Sequence, residues 1–455
     1  MTMDTIGRRP LFGATGNLTA ASGRAVAQKP HAHTPTTPPD DIAGRSLSHH
    51  WQQLDRLAEV AVKIGLRLTP GQELVMNAPI EALPLARRIT ERAYKAGASL
   101  VTTLFGDDAS TLLRFKYGRD ESFDQATGWL YGGMATALAN GAAWLFIAGD
   151  DPALLAGQDP DKVARANRAN SQFYLPALQP IFNFEINWTI VSYATPAWAK
   201  AVFPNETEEV AVNKLWDAIF AASRIDTPDP IAAWQAHNNA LAARIKFLND
   251  KRFAALDFRG LGTELRVGLA DDHEWAGGAL RAKNGIVFNP NIPSEEVGTA
   301  PHKDRVEGVA RSTKPLSYQG TLIEGITVRF AGGRVVEAHA EKGQEVLRRI
   351  LDTDEGARHL GEVALVPETS PIARSGLLYY NTLYDENAAS HIALGQAYSK
   401  CFINGTALTP AELNAKGANR SLVHVDWMIG SPSVDIDGLA ADGITTPLMR
   451  AGEWV

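Results

Sequence analysis

The order of strands and helices across residues 71–193 is the feature that most constrains the fold of this chain. Apolar residues recur at helical spacing in Ile80–Ala96, and Gly97 ends that segment. Short apolar runs before and after it predict strands at Leu74–Met76, Leu100–Phe105, Ala142–Ala148 and Trp188–Tyr193. Because strands alternate with helices, we expect a parallel sheet with helices on both of its faces.

A different pattern follows the proline-rich segment Asp226–Pro230, which we interpret as a domain boundary. Ile231–Leu248 has a helical period. Beyond it lie short alternating segments separated by glycine turns, at Ala254–Phe258, Glu264–Leu269, Thr321–Phe330 and Arg334–Ala340. The sequence therefore predicts a two-domain α/β protein. Residues 46–227 form a parallel α/β domain, and residues 228–455 form a mixed, largely antiparallel α+β domain.

Residues 1–45 precede the expected folded region and leave two interpretations open. Arg8-Arg9, a short apolar stretch and Ala25-Val26-Ala27 resemble a weak twin-arginine export signal, although polar residues interrupt the apolar part. A disordered extension explains the same residues, including the Pro/Thr-rich segment that follows. We expect a cytoplasmic protein, or a periplasmic one if the signal is functional.

Composition excludes several classes of protein. The net charge is −7 and there is no basic run, so we expect no nucleic-acid partner. The best apolar stretch, Gly132–Gly149, is interrupted by Asn140 and Gly141, so we expect no membrane span. The single cysteine, Cys401, rules out an intramolecular disulfide framework and any site built from four cysteines. No glycine-rich phosphate loop, H-E-x-x-H or G-x-S-x-G motif is present.

The segment His424-x-Asp426 indicates a metal site. Residues i and i+2 of a strand face the same side, so an imidazole and a carboxylate would converge there. A polar surface strand would explain the same alternation. However, apolar neighbours such as Val423, Val425 and Trp427 suggest that both faces are buried. A buried carboxylate needs a paired charge or a metal ion.

Three further segments carry polar residues of interest. Glu362 opens an apolar run and is either a half-exposed edge residue or a ligand; taken alone, the run favours the edge position. His391 follows Glu386 by five residues among small side chains, which leave room for a close approach by a metal ion. Tyr398 is seven residues beyond His391, so a helix here would place both on one face.

Four ordered motifs carry a resemblance to a known family. They are Ile292-Pro-Ser-Glu-Glu-Val297 with Thr299-Ala-Pro301, Leu360-Gly-Glu-Val-Ala-Leu365, the run Tyr380–Tyr398, and His424-Val-Asp-Trp-Met-Ile-Gly-Ser431. Together they resemble the family M29 metallo-aminopeptidases, the thermophilic aminopeptidase T group. The resemblance covers roughly residues 46–455 and is strongest in the second half. One departure is Gly298, where the family usually has an aromatic residue; we expect it to affect the substrate pocket rather than the metals.

The resemblance implies a fold, a site and an activity. The ligands of two adjacent divalent metal ions (Zn, Co, Mn or Mg) would be Glu296, Glu362, His391, His424 and Asp426, with Glu386 as a less certain sixth, and Tyr398 would be the active-site tyrosine. The implied reaction is release of N-terminal amino acids from peptides by a metal-activated hydroxide. The partners would be a peptide with a free N-terminus and a second copy of the chain in a homodimer.

A rival interpretation uses fewer ligands. His391, His424 and Asp426 could form the two-His-one-carboxylate site of a mononuclear iron ring-cleaving dioxygenase on the same scaffold. Glu296 and Glu362 discriminate, because a second metal ion needs both and a mononuclear site needs neither. A non-catalytic binding protein is a third alternative, and the complete ligand set argues against it.

Overall fold

The computed structural model describes residues 42–318 and 321–455. The twin-arginine-like segment around Arg8 and Arg9 lies outside the described residues. The described part of the chain contains no helix that is both long and apolar enough to cross a bilayer.

The first half is built on a parallel sheet, as expected. Its strands are β1 (Leu74–Pro79), β2 (Val101–Gly106), β3 (Ala143–Ala148) and β4 (Trp188–Ser192). All neighbours pair in parallel in the order β2-β1-β3-β4. The chain moves outward from β1 to β2 and then returns past β1 to β3. Right-handed crossovers in opposite directions put helices on opposite faces of the sheet.

Helices surround this sheet and continue beyond it. They are α1 (Ile42–Val60), α2 (Leu83–Lys95), α3 (Asp108–Tyr117), α4 (Gly128–Ala139), α5 (Pro160–Phe182), α6 (Pro196–Val202), α7 (Glu208–Ala222) and α8 (Pro230–Lys251). Side chains cap several of them at the start, as when Asp107 accepts bonds from two backbone amides of α3. In α8, the Asp229 side chain caps the helix and Pro230 is its first residue. The last two residues of the predicted boundary segment, Asp226–Pro230, therefore begin a helix.

The second half consists mainly of short strands. In chain order they are β5 (Ala255–Gly260), β6 (Thr263–Leu269), β7 (Leu280–Arg281), β8 (Val287–Phe288), β9 (Val297–Thr299), β10 (Pro301–Arg311), β11 (Leu316–Tyr318), β12 (Thr321–Ile323), β13 (Thr327–Ala331), β14 (Arg334–His339), β15 (Leu360–Leu365), β16 (His391–Gly395), β17 (His424–Met428), β18 (Asp435–Leu439), β19 (Thr445–Arg450) and β20 (Glu453–Trp454). Four short helices lie between them: α9 (Gln344–Leu351), α10 (Pro371–Ser375), α11 (Thr382–Asp385) and α12 (Pro410–Ala415).

Two antiparallel sheets dominate this half, which confirms the predicted mixed fold class. The larger has the order β14-β13-β10-β6-β5-β18-β19-β20, and the smaller has the order β17-β16-β15-β9. One predicted strand is wrong, because the segment Thr321–Phe330 is divided into β12 and β13. Gly325, at φ 62°, lies between them and takes a left-handed conformation that extended strands do not use.

Each half has its own apolar core, and the two halves are packed together. One core surrounds β1, β3 and β4 and also takes in later residues such as Ile292, Tyr379 and Tyr384. The other fills the space around the two antiparallel sheets and includes Trp427. The packing of the later residues against the parallel sheet forms the cleft in which the polar cluster described next is found.

Candidate metal centre and active-site cleft

The smaller antiparallel sheet brings the predicted ligands to one face. Glu362 lies in β15 and Asp426 in β17, and both are directly opposite Ala393 of the strand between them. Residues directly opposite each other share a face of a sheet, and so do residues two apart on one strand. His391 and His424 therefore project from the same face as the two carboxylates.

Small side chains form the floor beneath this cluster. Ala393 is paired with both carboxylate-bearing residues, and Ala364 is paired with His391. Across the next strand, Gly298 is paired with Ala364, and a Cβ atom on Gly298 would lie 2.7 Å from Oε1 of Glu362. Gly298, the departure from the family pattern, thus borders a candidate ligand; its effect on the substrate pocket stays a prediction.

The ligand atoms form two groups that share one residue. Glu296, Glu362 and His391 make one group, and Glu362, His424 and Asp426 make the other; within each, the atoms lie within 4.8 Å of one another. Nε2 of His391 is 3.2 Å from Oε2 of Glu296. Nε2 of His424 is 3.4 Å from Oε2 of Glu362 and 3.2 Å from Oδ1 of Asp426. The shared Glu362 lies between the two positions.

Backbone carbonyl groups orient both imidazoles. Nδ1 of His391 lies 3.2 Å from the carbonyl oxygen of Ala389, and Nδ1 of His424 lies 2.7 Å from that of Gln396. A carbonyl only accepts, so each Nδ1 carries a hydrogen, and each Nε2 faces the cluster, where it can bind a metal ion once its own proton is displaced. This is the usual arrangement of histidines that bind metal ions.

The excess of negative charge in the cluster favours binding of a cation. Although burial alone would lower the pKa of His391, the carboxylates of Glu296, Asp426 and Glu362 raise it to about 10. His424 shows the same balance, with a pKa held well above its ordinary value by Asp426 and Glu362. No lysine or arginine of the described ranges forms an ion pair with these carboxylates. Buried oxygen and nitrogen donors without a cationic side chain fit divalent metal ions.

Glu386 and Tyr398 lie beside the two groups without belonging to either. Burial, followed by the charges of Glu296 and Asp426, raises the pKa of Glu386 well above its ordinary value. The Tyr398 ring is 4.7 Å from the His424 ring, centroid to centroid. The helical spacing expected between His391 and Tyr398 is wrong, since His391 opens strand β16 and Tyr398 follows that strand.

Sequence reasoning missed the residues that support the segment carrying Glu296. The neighbouring Glu295 is buried, and its carboxylate accepts two bonds from Arg224 at 2.6 and 2.8 Å. Its backbone amide donates to Oδ1 of Asn387 at 2.6 Å, next to Glu386. The only signal in the sequence was the pair Glu295-Glu296, whose two members have different environments.

The cluster opens into a cavity of about 950 Å³ between the two halves of the chain. Glu296, Glu362, Glu386, His391, His424 and Asp426 line it, together with Tyr398. The opposite wall comes from the first half and is largely apolar, with Phe146, Leu175, Phe182, Phe184, Trp188 and Ile190. A buried polar centre that faces an apolar wall is typical of an enzyme site for a small substrate.

Comparison with known proteins identifies the family. The model of the family described as thermophilic metalloprotease (M29) matches residues 50–454. The chain belongs to the M29 metalloprotease family. The match extends over both halves, including the region before residue 228 where the sequence motifs are weakest, and it agrees with the resemblance inferred from the motifs.

Relatives in the M29 family match nearly their whole length. Aminopeptidase T of Thermus thermophilus is 55% identical over 404 residues, which is 89% of this chain and 98% of the relative. Aminopeptidase 2 of Geobacillus stearothermophilus is 46% identical over 407 residues, again 89% and 98%. A solved structure, wild-type AmpT from Thermus thermophilus, superposes with a TM-score of 0.84 at 54% identity, covering 89% of this chain and 99% of that one. None of these comparisons supports the dioxygenase alternative.

Proposed function

We propose that this M29 metalloprotease is an aminopeptidase whose cluster holds two divalent metal ions. The observation that carries the proposal is the pair of ligand groups that share Glu362. A mononuclear site would need neither Glu296 nor Glu362, yet both converge on the histidines. The names of the relatives, all aminopeptidases, support the same reaction. The homodimer and the compartment remain predictions from the sequence.

Bound divalent ions would acidify a water molecule and polarise the scissile carbonyl group. The protein's own residues do the rest. Glu296 and His391 would hold one ion, His424 and Asp426 the other, and Glu362 both. The carbonyl groups of Ala389 and Gln396 hold the imidazole rings with Nε2 facing the cluster, where each could bind an ion.

Tyr398 would act as the hydrogen-bond donor to the developing oxyanion. Burial and the charges of the nearby carboxylates, Glu362 first among them, raise the pKa of its hydroxyl well above the ordinary value of 10. The hydroxyl therefore keeps its proton at neutral pH and can donate it in a hydrogen bond. Apolar side chains of the first half line the same cavity.

Glu386 would bind the α-ammonium group of the substrate. Its carboxylate is buried among other carboxylates, so the negative charge there is disfavoured until a cation arrives. The ammonium group of a free N-terminus supplies that cation, whereas an internal peptide bond does not. This contact would restrict cleavage to the first peptide bond.

The test is to count metal ions per chain by elemental analysis and to follow hydrolysis of leucine amide. We expect two ions per chain, and activity that is lost on chelation and restored by Zn²⁺, Co²⁺ or Mn²⁺. The substitution Glu362→Ala should remove at least one ion and abolish hydrolysis. The matched control is Glu337→Ala, because Glu337 is an exposed residue of the edge strand β14 that pairs with Arg329 of β13 and does not line the cavity. One ion per chain with full activity in Glu362→Ala would contradict the proposal.

A further inference from the structure

Lys400 is a cationic residue in the wall of the active-site cavity. Its Nζ atom lies 5.1 Å from the ring centroid of Tyr398 and 5.6 Å from that of Phe184. These rings come from different halves of the chain, so the ammonium group is positioned where the halves meet. Contact with two ring faces stabilises a cation without neutralising it.

Among the described residues, no carboxylate forms an ion pair with the ammonium group of Lys400. Other lysines of the protein pair with carboxylates, for example Lys214 with Glu206, Lys342 with Glu324 and Lys416 with Asp272. Lys400 is half-buried, and apart from the two rings no side chain of the described residues pairs with it. A half-buried ammonium group that faces a cavity is therefore available to an anionic group of a bound molecule.

Lys400 lies at a distance from the cluster that the C-terminal carboxylate of a short peptide can reach. The Tyr398 ring lies 4.7 Å from the ring of His424, so Nζ of Lys400 is at most about 10 Å from that imidazole. Extended chain spans at most about 3.3–3.6 Å per residue. With the first peptide bond at the cluster, the C-terminal carboxylate of a dipeptide or a tripeptide falls within this range.

We propose that Lys400 binds a substrate carboxylate and gives the enzyme a preference for di- and tripeptides with a free C-terminus. The inference rests on the proposed aminopeptidase function and adds a substrate class to it. The α-ammonium group would be bound at Glu386 and the carboxylate at Lys400, at opposite ends of the same ligand. In an extended peptide each added residue moves the terminal carboxylate up to about 3.3–3.6 Å further from the cluster, so the advantage should decline for peptides longer than three residues.

The experiment compares Leu-Ala with its C-terminal amide, using the metal-loaded protein. We expect kcat/KM for the free acid to exceed that for the amide by about tenfold, as for a hydrogen bond between charged groups. The ratio should fall to about one in Lys400→Gln and persist in Lys400→Arg. Lys342→Gln, which removes a surface lysine outside the cavity, is the matched control and should leave the ratio unchanged.

Further measurements distinguish a C-terminal carboxylate from a side-chain carboxylate. They also separate the role of Lys400 from the aminopeptidase assignment. If Leu-Asp amide regains the advantage that Leu-Ala amide lacks, Lys400 accepts a side-chain carboxylate as well. Equal rates for acid and amide in the wild-type protein would overturn the role of Lys400 while leaving the aminopeptidase assignment intact. So would a ratio lost in Arg420→Gln but kept in Lys400→Gln, since Arg420 is another cationic residue lining the cavity. Failure to cleave either peptide would overturn the proposed function itself.

Discussion

Glu362 and Asp426 lie on the two strands that flank β16, and both are directly opposite the same residue, Ala393. Their carboxylates both approach Nε2 of His424, at 3.4 and 3.2 Å. The methyl group of Ala393 leaves the space above the sheet to the longer side chains on either side. The geometry of the centre thus depends on a residue that has no ligand atom of its own.

Replacing that alanine should disrupt the centre. In Ala393→Leu the larger side chain would occupy the space in which the two carboxylates converge, because Ala393 is fully buried and shares their face. We expect bound metal to fall below one ion per chain, and activity to fall with it.

Overpacking of this kind typically costs about 1–3 kcal/mol of stability. Elemental analysis and circular dichroism would separate metal loss from unfolding. Ala393→Ser is the control and should keep its metal; full metal occupancy in Ala393→Leu would refute the role of the small side chain.

The phenol of Tyr398 is tested by Tyr398→Phe, which removes one hydroxyl group and little volume. If the hydroxyl donates to the oxyanion in the transition state, kcat should fall by about 10²–10³-fold. Metal content and the thermal unfolding midpoint should be unchanged, because the ring still packs against His424. Steady-state kinetics on leucine amide would measure this. A change confined to KM would instead indicate a role in substrate binding.

The direction of cleavage depends on the free α-amine. N-acetylation removes the positive charge that Glu386 would bind, and the loss of that partner costs about 1–3 kcal/mol or more. We expect an acetylated peptide to resist cleavage and a C-terminal amide to remain a substrate. A digest of the unmodified peptide followed by mass spectrometry should show amino acids released singly from the N-terminus. Internal fragments at early times would argue against an exopeptidase.

His273 gives the folded state a dependence on pH that is separate from the active site. Burial lowers its pKa to about 4, so the folded protein disfavours the protonated ring. As pH falls below about 6.5, the unfolded chain takes up a proton that the folded chain does not, and stability is lost down to about pH 4. The full effect is about 3 kcal/mol at most. In His273→Leu the unfolding midpoint should fall less steeply over this range, and parallel slopes for both proteins would contradict the assignment.

The clustering of the candidate ligands was predicted better than the elements that carry them. His424-x-Asp426 depends only on the two-residue period of a strand, so the convergence of these side chains could be predicted locally. Tyr398 could not be placed in the same way, because the small residues around His391 suit a helix or a strand equally well and only pairing with β15 and β17 decides between them. The sequence also left open whether Glu362 is an exposed edge residue or a ligand, because strand pairing decides this too. Whether a carboxylate at the start of an apolar run is exposed depends on whether its strand lies at an edge, and β15 lies between two others.

The ion pair between Glu295 and Arg224 has a consequence for how this protein could be divided. Arg224 lies between α7 and α8, before the predicted domain boundary, whereas Glu295 precedes the candidate ligand Glu296 in the second half. A fragment that begins at α8 would keep all the candidate ligands but would lose the guanidinium group of Arg224, which leaves the buried Glu295 with His237 of α8, 3.8 Å away, as its remaining basic neighbour. We therefore expect the second half to depend on the first for the position of this segment. In any recombination between relatives, we expect Arg224 and Glu295 to be needed together for the candidate ligand beside them to keep its place.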